Sequence, residues 1–111
     1  MSRFFLSADA DEDLQDVYLY SEVNWGEQQA RRYLTGLYDV FERLGAEPAI
    51  GRLRSELGEA IRSFRQGAHL VFFMEWEDEI AILRVLHGRM DIERAFAGYD
   101  PLPGIAVKRP S

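Results

Sequence analysis

The sequence predicts an α+β fold in which a helix hairpin packs on a small, mostly antiparallel sheet, in the order β-α-α-β-β-β with a short C-terminal helix. Three observations carry this. Apolar residues recur at helical spacing on both sides of a break at Asn24-Trp25-Gly26. Three short, apolar, strand-like runs follow between Ala60 and His87, separated by turn residues. The chain has 111 residues and 47% hydrophobic content, which suits one small domain with an adequate core.

Arg3 to Ser7 reads as a first strand, with Phe4 and Leu6 on one face and Phe5 on the other. Ser7 is placed to cap a helix, and Asp9, Asp11 and Glu12 in the first turn suit the positive end of its dipole. Leu14, Val17, Tyr18 and Ser21 share one face of that helix. A second helix runs from about Glu27 to Leu44, with Ala30, Tyr33, Leu34, Leu37, Phe41 and Leu44 as its apolar stripe. Gly45 stops it and Pro48 lies just beyond. The short break between the helices implies an antiparallel hairpin.

Glu47 to Glu59 reads as a loop carrying Arg52 and Arg54. Strands are expected over Ala60–Arg65, Ala68–Trp76 and Glu79–His87, with Gln66-Gly67 and Glu77-Asp78 as turns of a meander. Asp91 is placed to cap a short helix through Phe96, which Gly98 stops. The domain is thus expected over residues 1–98, with a proline-containing tail over 99–111.

Composition excludes several functions. Without cysteine there are no disulfides and no thiolate metal sites, which fits a bacterial cytoplasm. No apolar run is long enough to span a membrane, and Met1–Ser7 is too short for a secretory signal. The net charge is −6, with 13 basic and 19 acidic residues. The first thirty residues hold seven acids against Arg3 alone, and the one lysine, Lys108, lies in the tail. A protein that grips nucleic acid by itself usually shows a net basic surface, which this chain lacks, and a local arginine patch is the one route left open to it.

The most informative segment is Arg84-Val85-Leu86-His87-Gly88-Arg89-Met90-Asp91. An apolar strand that needed only to pack would not end in two arginines, a histidine and an aspartate. The segment resembles the last strand of the ParE toxins, which reads approximately R-V-L-H-x-R-M-D, and every fixed position matches. The resemblance runs from Leu6 to about Phe96. It takes in Ala10-Asp11-Glu12-Asp13-Leu14, Trp25-Gly26 before Gln29-Ala30 and Tyr33, Pro48 to Arg54, Glu56-Leu57-Gly58, Ile61 to Phe64, and His69 followed by Leu70 to Phe73. Each fragment alone is weak; their order and spacing make the likeness specific.

The resemblance implies the RelE/ParE-like fold and a toxin of a type II toxin–antitoxin module. Such a toxin inhibits DNA gyrase by binding and stalls replication. Its ParD-like antitoxin carries a ribbon-helix-helix end, so operator DNA is contacted only through the antitoxin. No cofactor is implied. The alternative is RNA cleavage on the ribosome, as in the related RelE toxins. That chemistry needs a base, an acid and cations for the developing phosphorane. Arg62, Arg65, Arg84, His87 and Arg89 on neighbouring strands are chemically competent, although the core lacks the lysine that RelE-like toxins use. The bland readings compete. His87 after a strand more often bonds a backbone carbonyl or a carboxylate such as Asp91, and His69 faces the same judgement. Two histidines without a paired carboxylate motif make no metal site. Arginines 62, 84 and 89 have a structural alternative too, forking onto Glu56, Glu59 or Asp91.

No residue is therefore expected to be catalytic; Arg84, His87, Arg89 and Met90 are the candidates for toxicity or target contact. Leu70, Phe72, Met74 and Trp76 point to one face of their strand, Val71 and Phe73 to the other. One hairpin covers only one face of a sheet, so the second face is expected to stay bare for a partner. Antitoxin contacts are accordingly expected at Leu19, Trp25 and Tyr38 on the hairpin, at Leu70, Phe72, Met74 and Trp76 on the sheet, and at Arg62 and Arg65.

Overall fold

The computed structural model describes residues 3–99. Its elements are β1 (Phe4–Leu6), α1 (Ala8–Trp25), α2 (Glu27–Ala46), β2 (Arg52–Leu53), β3 (Arg62–Gln66), β4 (His69–Trp76), β5 (Glu79–His87) and α3 (Ile92–Phe96). The sheet order is β1-β5-β4-β3-β2. Only the β1–β5 pair is parallel. The expected α+β layout is present, with one addition. Within the Glu47–Glu59 loop, the two residues of β2 pair with Arg62 and Ser63 at the sheet edge. Two residues carry no legible strand period. Residues 60 and 61 precede β3 rather than belonging to it, and Ala60 has a positive φ of 66°.

Local chemistry explains the hairpin. Ser7 Oγ accepts from the backbone N–H of Ala10 at 3.0 Å and caps α1. Gly26 at φ 88° turns the chain between α1 and α2, a conformation that side chains disfavour. The inner faces of the two helices place Leu14, Val17, Leu37, Phe41 and Leu44 against Val71, Phe73, Ile80, Ile82 and Val85 of the sheet. Each such buried side chain contributes about 1.5–3 kcal/mol.

The opposite sheet face overturns an expectation. It is not bare. Phe72 is fully buried, and its ring lies 4.9 Å from that of Phe96 on α3. Leu70, Met74 and Trp76 are half-buried in the same cluster, together with Leu57, Ile61 and Tyr99. A five-residue helix and the loop before β3 thus do what the hairpin does on the other face. Both sheet faces are apolar because the chain covers both. Of the expected tail, Tyr99 packs on Phe96 at 5.1 Å, and residues 100–111 lie outside the described residues.

The join between the helices and β5 is polar. β1 ends at Leu6, opposite Ile82, while β5 continues to His87. Phe72 pairs with Arg84 and Phe73 with Ile82, so Leu83 is an extra residue in β5, a bulge. Ser7 donates its backbone N–H to the Ile82 carbonyl (2.9 Å) and its hydroxyl to the Leu83 carbonyl (2.8 Å). Asp13 of α1 then accepts from the Val85 backbone N–H at 2.9 Å. Its carboxylate also takes Nε and a terminal nitrogen of Arg84 at 2.8 and 3.0 Å. Arg84 therefore forks onto Asp13, not onto Glu56, Glu59 or Asp91. Arg54 takes Glu56 at 2.7 Å instead, and Asp91 caps α3 by accepting from Arg94 N–H.

Removing one partner of a largely buried, hydrogen-bonded ion pair leaves the other uncompensated. Asp13→Ala should therefore lower stability by about 3 kcal/mol or more, since it strands Arg84 and the Val85 N–H. Urea unfolding of the two proteins measures this, and a loss under about 1 kcal/mol, the scale of an exposed pair, would contradict it.

Candidate functional site

Two surfaces on the hairpin stand out from the residues upward. Leu19, Tyr20 and Val23 occupy the second half of α1, and Trp25 ends it; all are exposed, Val23 to 84%. Helical geometry spreads them round the outside of α1, because the inner positions are already Leu14, Val17 and Ser21. A groove of ≈ 410 Å³ lies between α1 and α2, walled by Leu14, Tyr18, Leu19, Leu34 and Tyr38. A second of ≈ 490 Å³ lies at the end of the hairpin, where Trp25, Gln29 and Tyr33 face Ala68 of the β3–β4 turn. These grooves are open and mainly apolar.

The third surface is a cleft of ≈ 240 Å³ between α1 and the end of β5. It joins Arg84, His87 and Met90 of the informative segment to Asp13, Asp16 and Tyr20 of α1 and to His69 of β4. His69 pairs with His87 across the ladder, and the two rings lie 5.3 Å apart, edge to face. The Tyr33 hydroxyl donates to the Gln66 carbonyl at 2.9 Å and lies 2.6 Å from His69 Nδ1. With that proton committed to Gln66, Nδ1 carries its own hydrogen and Nε2 is the free acceptor. His87 is the reverse. Its Nδ1 accepts from the Arg89 backbone N–H at 3.0 Å, so its proton sits on Nε2. Its partner is thus a backbone donor rather than the expected carbonyl or Asp91.

The two imidazoles cannot both offer Nε2 lone pairs to one metal ion in this arrangement. Among the described residues no group of three histidine, aspartate or glutamate side chains converges for a metal. Three of the four candidate arginines are also engaged. Arg84 is held by Asp13, Arg62 donates to the Gly51 carbonyl at 2.8 Å, and Arg65 to the Gly67 carbonyl at 3.2 Å. Arg65 lies near Gly88, whereas Arg62 is fixed on the turn at Gly51. The strand arginines are therefore not gathered on one phosphate-sized point. Arg89 and Met90 are exposed at the end of β5.

Of the expected partner contacts, Leu19, Trp25 and Tyr38 border the hairpin grooves, and Arg65 is exposed at the β3–β4 turn. Phe72 is sealed inside the far-face core, and Leu70, Met74 and Trp76 share that core, so the sheet face offers no open platform. Tyr20, Val23, Asp13 and Asp16 escaped sequence reasoning. The first two were visible as apolar residues off the inner stripe of α1. The two acids were indistinguishable from their neighbours in an acidic helix.

A family profile described as ParE toxin of type II toxin-antitoxin system, parDE, matches residues 4–92. Toxin ParE1 of Mycobacterium tuberculosis is 36% identical over 94 residues, 84% of this chain and 96% of that protein. Toxin ParE of Escherichia coli is 36% identical over 93 residues, 83% of this chain and 90% of its own length. Toxin ParE1 of Caulobacter vibrioides is 34% identical over 91 residues, 82% and 94% respectively. A solved structure titled Chromosomal ParDE TA system from P. aeruginosa shares the fold with a TM-score of 0.66 at 20% identity, covering 78% of this chain and 96% of that one.

Burial, and next the neighbouring His87, hold the His69 imidazole below the usual histidine range. The unfolded chain then binds this proton more readily than the folded one. The associated stability is full above about pH 6.5 and falls as the pH drops through that value. Urea midpoints should accordingly decrease between about pH 7.5 and 5.5. His69→Gln, which keeps a partner for Tyr33, should flatten most of that slope; an unchanged slope would assign it to another group.

Proposed function

The chain belongs to the ParE toxins of ParDE toxin–antitoxin systems, and from that premise we propose that it inhibits DNA gyrase by binding and is neutralised by a ParD-like antitoxin. The observation that carries this reading is the open apolar surface of the hairpin, where Leu19, Trp25 and Tyr38 flank two grooves while both sheet faces are filled from within. An amphipathic antitoxin segment laid along α1 and α2 buries those side chains, with a few aromatic or leucine anchors dominating the affinity. Exposed Arg65 adds pairing with antitoxin acids, which contributes specificity more than affinity. Operator DNA is reached through the antitoxin's ribbon-helix-helix end, consistent with a net charge of −6 on this chain. The setting is the bacterial cytoplasm, where gyrase works.

The state of the cleft supports action by binding rather than by chemistry. Arg84 is bound bidentately by Asp13, and His87 Nδ1 is occupied by a backbone donor. His87, with Nδ1 occupied, then has no free lone pair for general-base work, and the charge of Arg84 is neutralised by Asp13 rather than offered to a phosphorane. Arg84 instead shapes the end of β5 and so positions His87, Arg89 and Met90 toward the target.

Purified protein should inhibit supercoiling by the gyrase of its own host, and its expression should cause filamentation with messages intact. Rapid loss of full-length messages with replication untouched would point to ribonuclease action instead. His87→Gln keeps hydrogen bonding and removes acid–base ability, so it should retain much of the activity. A loss of about 10²-fold or more with unchanged stability is the scale of general acid–base catalysis and would contradict binding as the mechanism.

A further inference from the structure

The cleft between α1 and the end of β5 also has an acidic and aromatic side, supplied by α1. Three charged side chains line it: Asp13, Asp16 and Arg84. Asp13 and Arg84 neutralise each other through a bidentate pair, and Asp9 adds to the negative field on Arg84. Asp16 is exposed and has no ion pair among the described residues. The cleft therefore carries one uncompensated negative charge, on a segment that is strongly acidic throughout.

Its walls are aromatic and apolar. Tyr20, one turn after Asp16, stands edge to face with His87 at 6.3 Å and with Trp25 at 5.8 Å. Val17, Val85, Leu86 and Met90 complete the apolar lining. A carboxylate one helical turn from an aromatic face suits a planar cation, which can pair with the oxygen atoms and stack on the ring. The lining disfavours the alternatives. An anion meets Asp16 and finds Arg84 already bound. A metal ion meets the His87 Nε2 proton, fixed there by the Arg89 N–H.

We infer that this cleft receives an arginine side chain presented by the toxin's protein target, with Asp16 pairing its guanidinium and Tyr20 stacking on it. The inference rests on the reading that the chain acts by binding a protein, and it separates that contact from the antitoxin grooves. Asp16 and Tyr20 face β5, whereas Tyr18, Leu19 and Leu34 face the groove between the helices. One helix thus serves two partners on two sides. The cleft also gathers His87 and Met90 of the informative segment into one contact with a stated chemistry.

Two measurements test this on the full chain. The first is an NMR titration with N-acetyl-arginine methylamide and, separately, with its neutral citrulline counterpart, which has the same shape. The arginine probe should shift the amides of Asp16, Tyr20 and His87–Met90 at concentrations where the citrulline probe leaves them in place, because a charge-assisted bond to Asp16 is stronger than a neutral one. The excess should vanish in Asp16→Asn. Equal shifts from the two probes, or an excess that survives in Asp16→Asn, overturn the inference whether or not gyrase is the target. The second compares gyrase inhibition with antitoxin affinity. Asp16→Asn should weaken inhibition about tenfold or more, the scale of a lost interfacial charge pair, and Asp16→Glu should restore part of it. Antitoxin affinity should stay within about threefold in both variants. Unchanged inhibition, or antitoxin affinity falling in step with it, overturns the assignment of the cleft to the target. A wild-type chain that binds antitoxin but leaves gyrase active refutes gyrase as the target, and the probe titration still decides the chemistry of the cleft.

Discussion

β5 is the central constraint of this fold, because it is nine residues long and its parallel neighbour β1 is three. Backbone groups buried beside a strand that has run out cost free energy unless something replaces it. Two side chains from the next segment do so. Ser7 turns from strand to helix and bonds two successive carbonyls exposed by the bulge at Leu83. Asp13, less than two turns further on, supplies the acceptor for Val85 and binds Arg84. The N-terminus of α1 is thereby pinned to the middle of β5, and the direction of the whole hairpin follows. Substitution of either side chain leaves a carbonyl or an N–H without a partner in a dry place.

That anchoring has a consequence for the surfaces. With its start fixed on β5, α1 lays Leu14 and Val17 inward and carries Tyr20 past the end of β5 beside His87. The same helix presents Leu19 to the groove beside Tyr38. The far side of the sheet is filled by α3, Tyr99 and the loop before β3, so it is a second core rather than a docking face. Most of the large exposed apolar side chains lie on the hairpin, with Met90 at the end of the last strand. Ser7, Asp13 and Arg84 near that end are spent on structure.

Periodicity made most elements legible. The alternation in β4 assigns Phe72 and Phe73 to opposite faces, and the structure places them in two different cores. The caps at Ser7 and Asp91 were readable from residue type and position alone. What sequence could not show was long-range pairing. Asp13 looks like one more carboxylate in an acidic helix, and its partner lies 71 residues away. The covered far face escaped for a related reason. Five helical residues carry too little pattern to reveal that Phe96 seals Phe72. Hydrophobicity on both faces of a strand shows that both need cover, but not whether this chain or a partner supplies it. Among the candidate site residues, the segment from Arg84 to Met90 stood out by its residue types, whereas the neighbours it has on α1, Asp16 and Tyr20, depend on how α1 is docked.

The central claim is that the hairpin, and not the sheet, is the face on which the antitoxin lies. Hydrogen exchange of the chain alone and in complex with its ParD-like antitoxin addresses this most directly. Exchange should slow along α1 and α2 around Leu19, Trp25 and Tyr38, while α3 and the loop before β3 keep their free-state rates. Slowing confined to that loop and α3, with the hairpin unchanged, would contradict the account.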